Sequence, residues 1–300
     1  METVEGQEIF QQRSAPTRMK DADGRVVLVT GASSGIGRAC AEYLARRGFR
    51  VYGTSRRAAA LPPSGVQAAQ PVALGFTLLR MDVADTQSID DGVGWILNRE
   101  GRLDILVNNA GMGIAGPVEN TSLDEAKKQF EVNFFGVFGV CRAVLPTLRR
   151  QGGGYIINIG SIGGAIAIPY QAFYSASKFA LEGLSEALRL EVGPLGIRVV
   201  VVEPGDHKTQ FTENRQLIAR ANEESIYSQP FRSALARMME DEQAGPDPDK
   251  VARLVHRIVE TRSPRLRYTV GKAEQRGAVW IKRFLPYSVL ERGMRRYYRL

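Results

Sequence analysis

Residues Arg25 to Gly37 read RVVLVTGASSGIG, an apolar, β-branched run that breaks into a glycine-rich turn. Val26 to Val29 have the unbroken apolarity of a strand buried on both faces. Gly31 permits a sharp exit from that strand. Gly35 leaves room for a pyrophosphate to approach the backbone, and Gly37 lets the next helix pack closely on the sheet. A helix starting here offers the uncommitted backbone donors of Ser33, Ser34, Gly35 and Ile36, with the positive end of its dipole, to an anion. Such a turn can serve backbone geometry alone, but its place directly after a first strand favours the phosphate reading.

Working outward, RVYGTS, FTLLRMDV, LDILVN, GYIINIG and IRVVVVEPG repeat the apolar run. Between them lie helical patterns ending at Arg47, then from Thr86 to Arg99, Asp124 to Arg150 and Gln171 to Val192. This βαβ rhythm predicts an α/β fold, a Rossmann-type doubly wound parallel sheet in a single domain, over residues 24–270. Residues 1–23 show neither helical nor strand period and read as a flexible lead-in. Residues 206–246 are polar, weakly helical and unsuited to sheet strands, so they are expected to form a substrate-loop insertion over the C-terminal strand ends. A helix from Asp249 to Thr261 and an edge strand LRYTVG follow. Residues 271–300 form a basic amphipathic extension.

A chain of 300 residues with 44% hydrophobic side chains can bury one sizeable core. Two cysteines, Cys40 and Cys141, are too few for a disulfide framework or a paired-ligand zinc site, so a reducing, cytoplasmic setting is expected and no metal. His207 and His256 are the only histidines, and no G-x-S-x-G elbow accompanies them, which disfavours a Ser-His-Asp hydrolase. The N-terminus lacks the apolar core of a secretion signal, and no apolar run approaches the ~20 residues of a membrane span. The net charge of +8 is concentrated in the last forty residues, with no aromatic-basic platform elsewhere, so nucleic acid is not an expected partner. That tail interleaves Trp280, Ile281, Phe284, Leu285, Val289, Leu290, Met294 and Tyr297 with Lys282, Arg283, Arg292, Arg295, Arg296 and Arg299. The pattern suits peripheral contact with a membrane surface, a subunit contact or a flap over the active site.

The G-x-x-x-G-x-G spacing from Gly31 to Gly37 is followed in order by Asn108-Asn109-Ala110-Gly111, Asn133, Ser161, Tyr174-x-x-x-Lys178 and Pro204-Gly205-x-x-x-Thr209. This set resembles the short-chain dehydrogenase/reductase family, densely over residues 24–209 and weakly beyond, nearest to its steroid- and retinoid-type members. The resemblance implies a nicotinamide nucleotide on the turn, with Asp82 and Val83 at the adenine and Asn109, Ala110 and Gly111 beside the cofactor. It implies Pro204, Gly205 and Thr209 at the nicotinamide carboxamide. Asn133 would bend its helix and hold a water linking Lys178 to solvent, and the two long helices would make homodimer or homotetramer contacts.

The chemistry needs a proton donor at the substrate oxygen while hydride meets the adjacent carbon. A phenol of pKa ~10 needs about three units of acidification to serve as a base near neutrality. Lys178, one helical turn from Tyr174, lies on the same face and is expected to supply the charge, and Ser161 to orient the substrate oxygen. At the end of the second strand, Thr54-Ser55-Arg56-Arg57 holds no acid for a ribose 2′-hydroxyl. Arg56 can pair with a 2′-phosphate, which favours NADP(H) over NAD(H). Asp206, His207 and Lys208 depart from the apolar fillers of the family segment, and His207 reads as a solvated loop residue more than as a substrate contact. Phe211, Leu217, Ile218, Ile226, Tyr227, Phe231, Leu235, Met238 and Met239 either line a pocket for a lipophilic substrate or pack the insertion's own core. The expected activity is carbonyl–alcohol interconversion on a small, lipophilic, steroid-, retinoid- or 3-oxoacyl-like molecule. The rival is a non-catalytic NADP-binding sensor or scaffold, which has no need of a Tyr/Lys/Ser/Asn relay.

Overall fold

Seven parallel strands form the central sheet in the order β3-β2-β1-β4-β6-β7-β9. In chain order these are β1 (Val26–Val29), β2 (Arg50–Ser55), β3 (Thr77–Arg80), β4 (Ile105–Asn108), β6 (Gly154–Ile159), β7 (Ile197–Pro204) and β9 (Arg267–Val270). The computed structural model describes residues 24–59, 75–221 and 223–300. The expected lead-in, 1–23, and most of the loop after β2 lie outside the described residues.

The continuous apolarity of the strands follows from helices on both faces. Val26 and Leu28 point to one side, against α2 (Thr86–Glu100), α4 (Gly136–Arg150) and α5 (Ala172–Val192). Val27 and Val29 point to the other, against α1 (Gly35–Arg46) and α8 (Asp249–Glu260). All four valine and leucine side chains are completely buried, each stabilising the fold by roughly 1.5–3 kcal/mol relative to exposure. Because β1 pairs with β2 on one side and β4 on the other, the winding reverses between β1 and β4, and a crevice opens at their carboxyl ends.

The sequence expects one helix from Asp124 to Arg150. The structure divides it: α3 (Leu123–Phe130) passes through a π-turn at Glu131–Phe135 into α4, and Gly136 N–H reaches back five residues to the Glu131 carbonyl. Leu123–Arg150 has the length and apolarity of a membrane span, yet Val137, Val140, Cys141, Val144 and Leu148 are spent on the sheet's core.

The region after β7 also differs from expectation. It supplies a short helix α6 (Phe211–Asn214), a two-residue strand β8 (Gln216–Leu217) paired in parallel with β5 (Ile114–Ala115), and a full helix α7 (Ser228–Gln243). Its polar surface hid that helix, because only Phe231, Ala234 and Met238 of its apolar positions are buried. The tail folds as α9 (Ala273–Ile281) and α10 (Tyr287–Tyr297) and returns over the crevice. Tyr297 donates to Asp241 of α7 at 2.6 Å, and Tyr298 packs with Ala234 and Met238.

Candidate active site

The turn after β1 is tied to the residues that follow β4. Thr30 Oγ1 accepts from the backbone of Asn109 at 2.9 Å and of Ala110 at 3.0 Å. Asn109 Nδ2 donates to the carbonyls of Thr30 and Gly31 at 3.0 and 3.1 Å. Gly31 sits at φ +68°, and a Cβ there would stand 2.8 Å from Ala110 Cα. A Cβ at Gly37 would collide with Asn109 Nδ2 and the Gly31 carbonyl. Gly37 therefore lies behind the turn and does not face the cavity. Its part is to let α1 dock, as the packing role read from the sequence requires.

The helices differ at their starts. Asp85 caps α2 through the N–H groups of Gln87 and Ser88, and Ser122 with Glu125 forms a capping box on α3. Ser34, the cap residue of α1, makes no side-chain bond to the helix, so the first-turn donors stay open to the crevice. A cavity of about 1080 Å³ begins there. Gly31, Ser33, Ser34, Gly35 and Ile36 line its start, and Arg56, Arg57, Asp82 and Val83 line the side towards β2 and β3. Asn109, Ala110 and Gly111 line its floor, and Pro204, Gly205 and Thr209 its far wall. Arg56 and Arg57 are exposed and make no ion pair among the described residues. A nicotinamide dinucleotide fits this wall, with uncapped helix donors available to its pyrophosphate.

The same cavity brings Ser161, Tyr174 and Lys178 together. Ser161, two residues past β6, caps the following 3-10 turn (Ile162–Gly164) in an extended conformation, and its hydroxyl accepts from Gly163 N–H at 2.9 Å. Tyr174 and Lys178 project from one face of α5 and are buried. Lys178 Nζ donates to the Ile159 carbonyl at 2.8 Å and lies 5.9 Å from the centre of the Tyr174 ring. Asn133 does not reach the cavity. It is fully buried in the π-turn, bonded to Met112 and to Ser177.

Burial pushes the Tyr174 phenol up to about 12, with the Ser161 hydroxyl opposing and Glu242 adding to the rise. Burial likewise lowers Lys178 to about 8, against the pull of Glu182. In the protein alone, desolvation disfavours the phenolate and Tyr174 holds its proton.

His207 is not a solvated loop residue. It is buried, its Nδ1 donates to the Gly205 carbonyl at 2.9 Å, and burial holds its pKa low. Of the apolar residues in the insertion, Phe211 lines the cavity, its ring 5.7 Å from that of Tyr174. Ile218, Phe231 and Met238 are buried, whereas Leu217, Ile226 and Met239 are exposed. The rest of the apolar wall comes from places without a motif: Met112, Ile162, Ile168, and from the tail Leu285, Val289 and Met294. Amphipathic spacing in the tail was the one signal that could have found the latter. Beside them, Arg215 pairs with Glu242 and Asp206 with Gln275, polar couplings between the insertion, α7 and α9.

Comparison with known proteins agrees with this geometry. Residues 25–218 match the short chain dehydrogenase family. A 3-ketodihydrosphingosine reductase from Bacteroides thetaiotaomicron is 40% identical over 274 residues, covering 91% of this chain and 98% of that protein. The human 17-beta-hydroxysteroid dehydrogenase type 1 is 33% identical over 264 residues, covering 81% of this chain and 76% of its own. The crystal structure of a short-chain dehydrogenase from Streptomyces avermitilis superposes with a TM-score of 0.70 at 33% identity, over 85% of this chain and 90% of that one. With its sheet order, its glycine turn and its paired Tyr174 and Lys178, the chain belongs to the short-chain dehydrogenase/reductase family of oxidoreductases.

Proposed function

We propose that the protein is an NADP(H)-dependent oxidoreductase that interconverts a carbonyl and an alcohol on a lipophilic molecule. The observation that carries the reading is a phenol, Tyr174, kept protonated by burial beside the Ser161 hydroxyl, at the meeting point of a phosphate-binding helix start and an apolar wall. Bound NADPH supplies the hydride. Ser161 positions the carbonyl oxygen, and Tyr174 gives it the proton as the oxygen gains charge. Lys178, fixed by the Ile159 carbonyl, holds a positive charge near the phenol and stabilises the phenolate left behind. Arg56 favours the 2′-phosphate over a free hydroxyl. The names of the two relatives, a ketosphingosine and a hydroxysteroid enzyme, support a ketone on an extended apolar body, as do Phe211, Leu285 and Met294 around the cavity. A homodimer or homotetramer through α4 and α5 is part of the same reading, since Phe138, Phe179 and Leu190 on these helices, and Phe135 in the π-turn before α4, are exposed.

The test is NADPH oxidation against ketones and aldehydes of graded hydrophobicity, with Tyr174→Phe as control. Turnover should rise with apolar length and fall at least about a thousandfold in the variant, because removal of the proton donor forfeits general acid catalysis. NADPH binding without turnover of any carbonyl would favour the sensor instead.

A further inference from the structure

The chain's basic charge is gathered where the cavity opens. Residues 271–300 carry eight lysines and arginines against two glutamates, a net +6 out of +8 for the whole chain. Several of these cations are spent on the protein: Lys272 approaches Asp241, Arg295 pairs with Glu291, Arg299 pairs with Glu240, and Lys282 donates to the Ala165 carbonyl. Arg276, Arg283, Arg292 and Arg296 are exposed and have no ion-pair partner among the described residues.

Between these arginines stand aromatic side chains that none of the described residues covers. Trp280 is 63% exposed, Phe284 69% and Tyr287 75%, and the rings of Trp280 and Phe284 pack on each other with centroids 5.0 Å apart. Ile281 is also largely exposed. A soluble face has no use for clustered aromatic residues with cations between them. An interface between water and acyl chains does, because the ring bodies enter the acyl boundary while the guanidinium groups stay among anionic headgroups. The second observation is continuity. Leu285 and Val289, which lie between and just beyond these residues, line the cavity and are themselves substantially exposed, so the apolar wall of the active site runs out through the tail to this patch.

We propose that α9, α10 and the turn between them dock the mouth of the cavity on an anionic lipid surface, so that an apolar ketone passes from the bilayer into the site without crossing water. The docking stands apart from the reductase reading; the passage of substrate rests on it. The charge selects a lipid surface over a second copy of this chain, since two +6 tails would repel each other across a shared two-fold interface.

The experiment uses the full chain, sedimented with vesicles of phosphatidylglycerol and phosphatidylcholine and with vesicles of phosphatidylcholine alone. The wild-type chain should bind the anionic vesicles and lose them as salt is raised. R283Q/R292Q/R296Q should weaken that partition about a hundredfold, at roughly 1 kcal/mol for each basic residue near the surface. W280S/F284S/Y287S should weaken it at least about tenfold through lost apolar burial. None of these six residues lines the cavity, so turnover of a water-soluble ketone should persist in both variants and report their folding, while reduction of a vesicle-dissolved ketone should fall. Failure of the wild-type chain to bind anionic vesicles would overturn the proposal. So would an aromatic variant whose oligomer mass drops in sedimentation while its vesicle binding stays. Vesicle binding with no turnover of any ketone would uphold the docking and sink the reductase reading alone.

Discussion

Asn133 holds Met112 by both ends of its side-chain amide: Oδ1 accepts the Met112 N–H at 2.9 Å, and Nδ2 donates to the Met112 carbonyl at 3.0 Å. Met112 directly follows the Asn109-Ala110-Gly111 segment that closes the glycine turn. Nδ2 also donates to Ser177 at 3.2 Å, next to Lys178. The π-turn is thereby a bracket between the cavity wall at Asn109–Met112 and the helix that carries Tyr174 and Lys178. A π-turn costs regular helical bonding, and it persists here because it aims Asn133 at both. Asn133→Ala strips two part-buried backbone groups of Met112 of their partner, so unfolding in urea should show a loss of about 1–3 kcal/mol. A loss under half a kcal/mol would mean that Met112 finds other partners.

The pH dependence of ketone reduction follows from Lys178. Its charged form exists below its pKa, which burial lowers from the ordinary lysine value to about 8, whereas Tyr174 stays protonated up to about 12. As pH rises, the ammonium is lost first. We expect kcat/KM, which reports the free enzyme, to decline above about pH 8 while the phenol is still intact. A profile flat to pH 10 would remove Lys178 from the protonation requirement.

Arg56 should discriminate the two nicotinamide nucleotides. Arg56→Ala removes a charge-assisted contact on an exposed loop, worth on the order of tenfold in affinity once solvent screening is allowed for. The KM for NADPH should rise by about that factor and the KM for NADH should stay. Equal changes in both would place the arginine's effect on the loop and not on a 2′-phosphate.

One substitution made at two helical glycines should act with opposite sign. A methyl at Gly37 meets Asn109 and the Gly31 carbonyl, both parts of the rigid turn, so Gly37→Ala should cost about 3 kcal/mol or more and lower Tm by several degrees. Gly94 lies within α2 with nothing within 4 Å of an added Cβ, and Gly94→Ala should stabilise by about 0.5–1 kcal/mol through helix propensity. Calorimetry on both separates packing from conformational entropy.

Much of the fold and site is legible in the sequence. The strand runs, the turn from Gly31 to Gly37 and the Tyr174-x-x-x-Lys178 spacing are local patterns, and local patterns of this kind fold the same way wherever a sheet covers them. The length of α7 was less legible, because a helix whose buried face is only Phe231, Ala234 and Met238 leaves a weak period in the sequence. The π-turn left no local mark beyond Asn133 itself.

The sequence by itself determined the doubly wound sheet, the place of the phosphate turn and which side chains share one face of α5, since each depends on residues a few positions apart. Only the tertiary structure decided that His207 is buried, that burial raises Tyr174, and that the tail lines the cavity. Those outcomes rest on contacts between distant segments, Tyr297 with Asp241 and Gln275 with Asp206, and on the exclusion of water that the contacts together produce. Desolvation belongs to the assembled surface, and no short stretch of the chain encodes it.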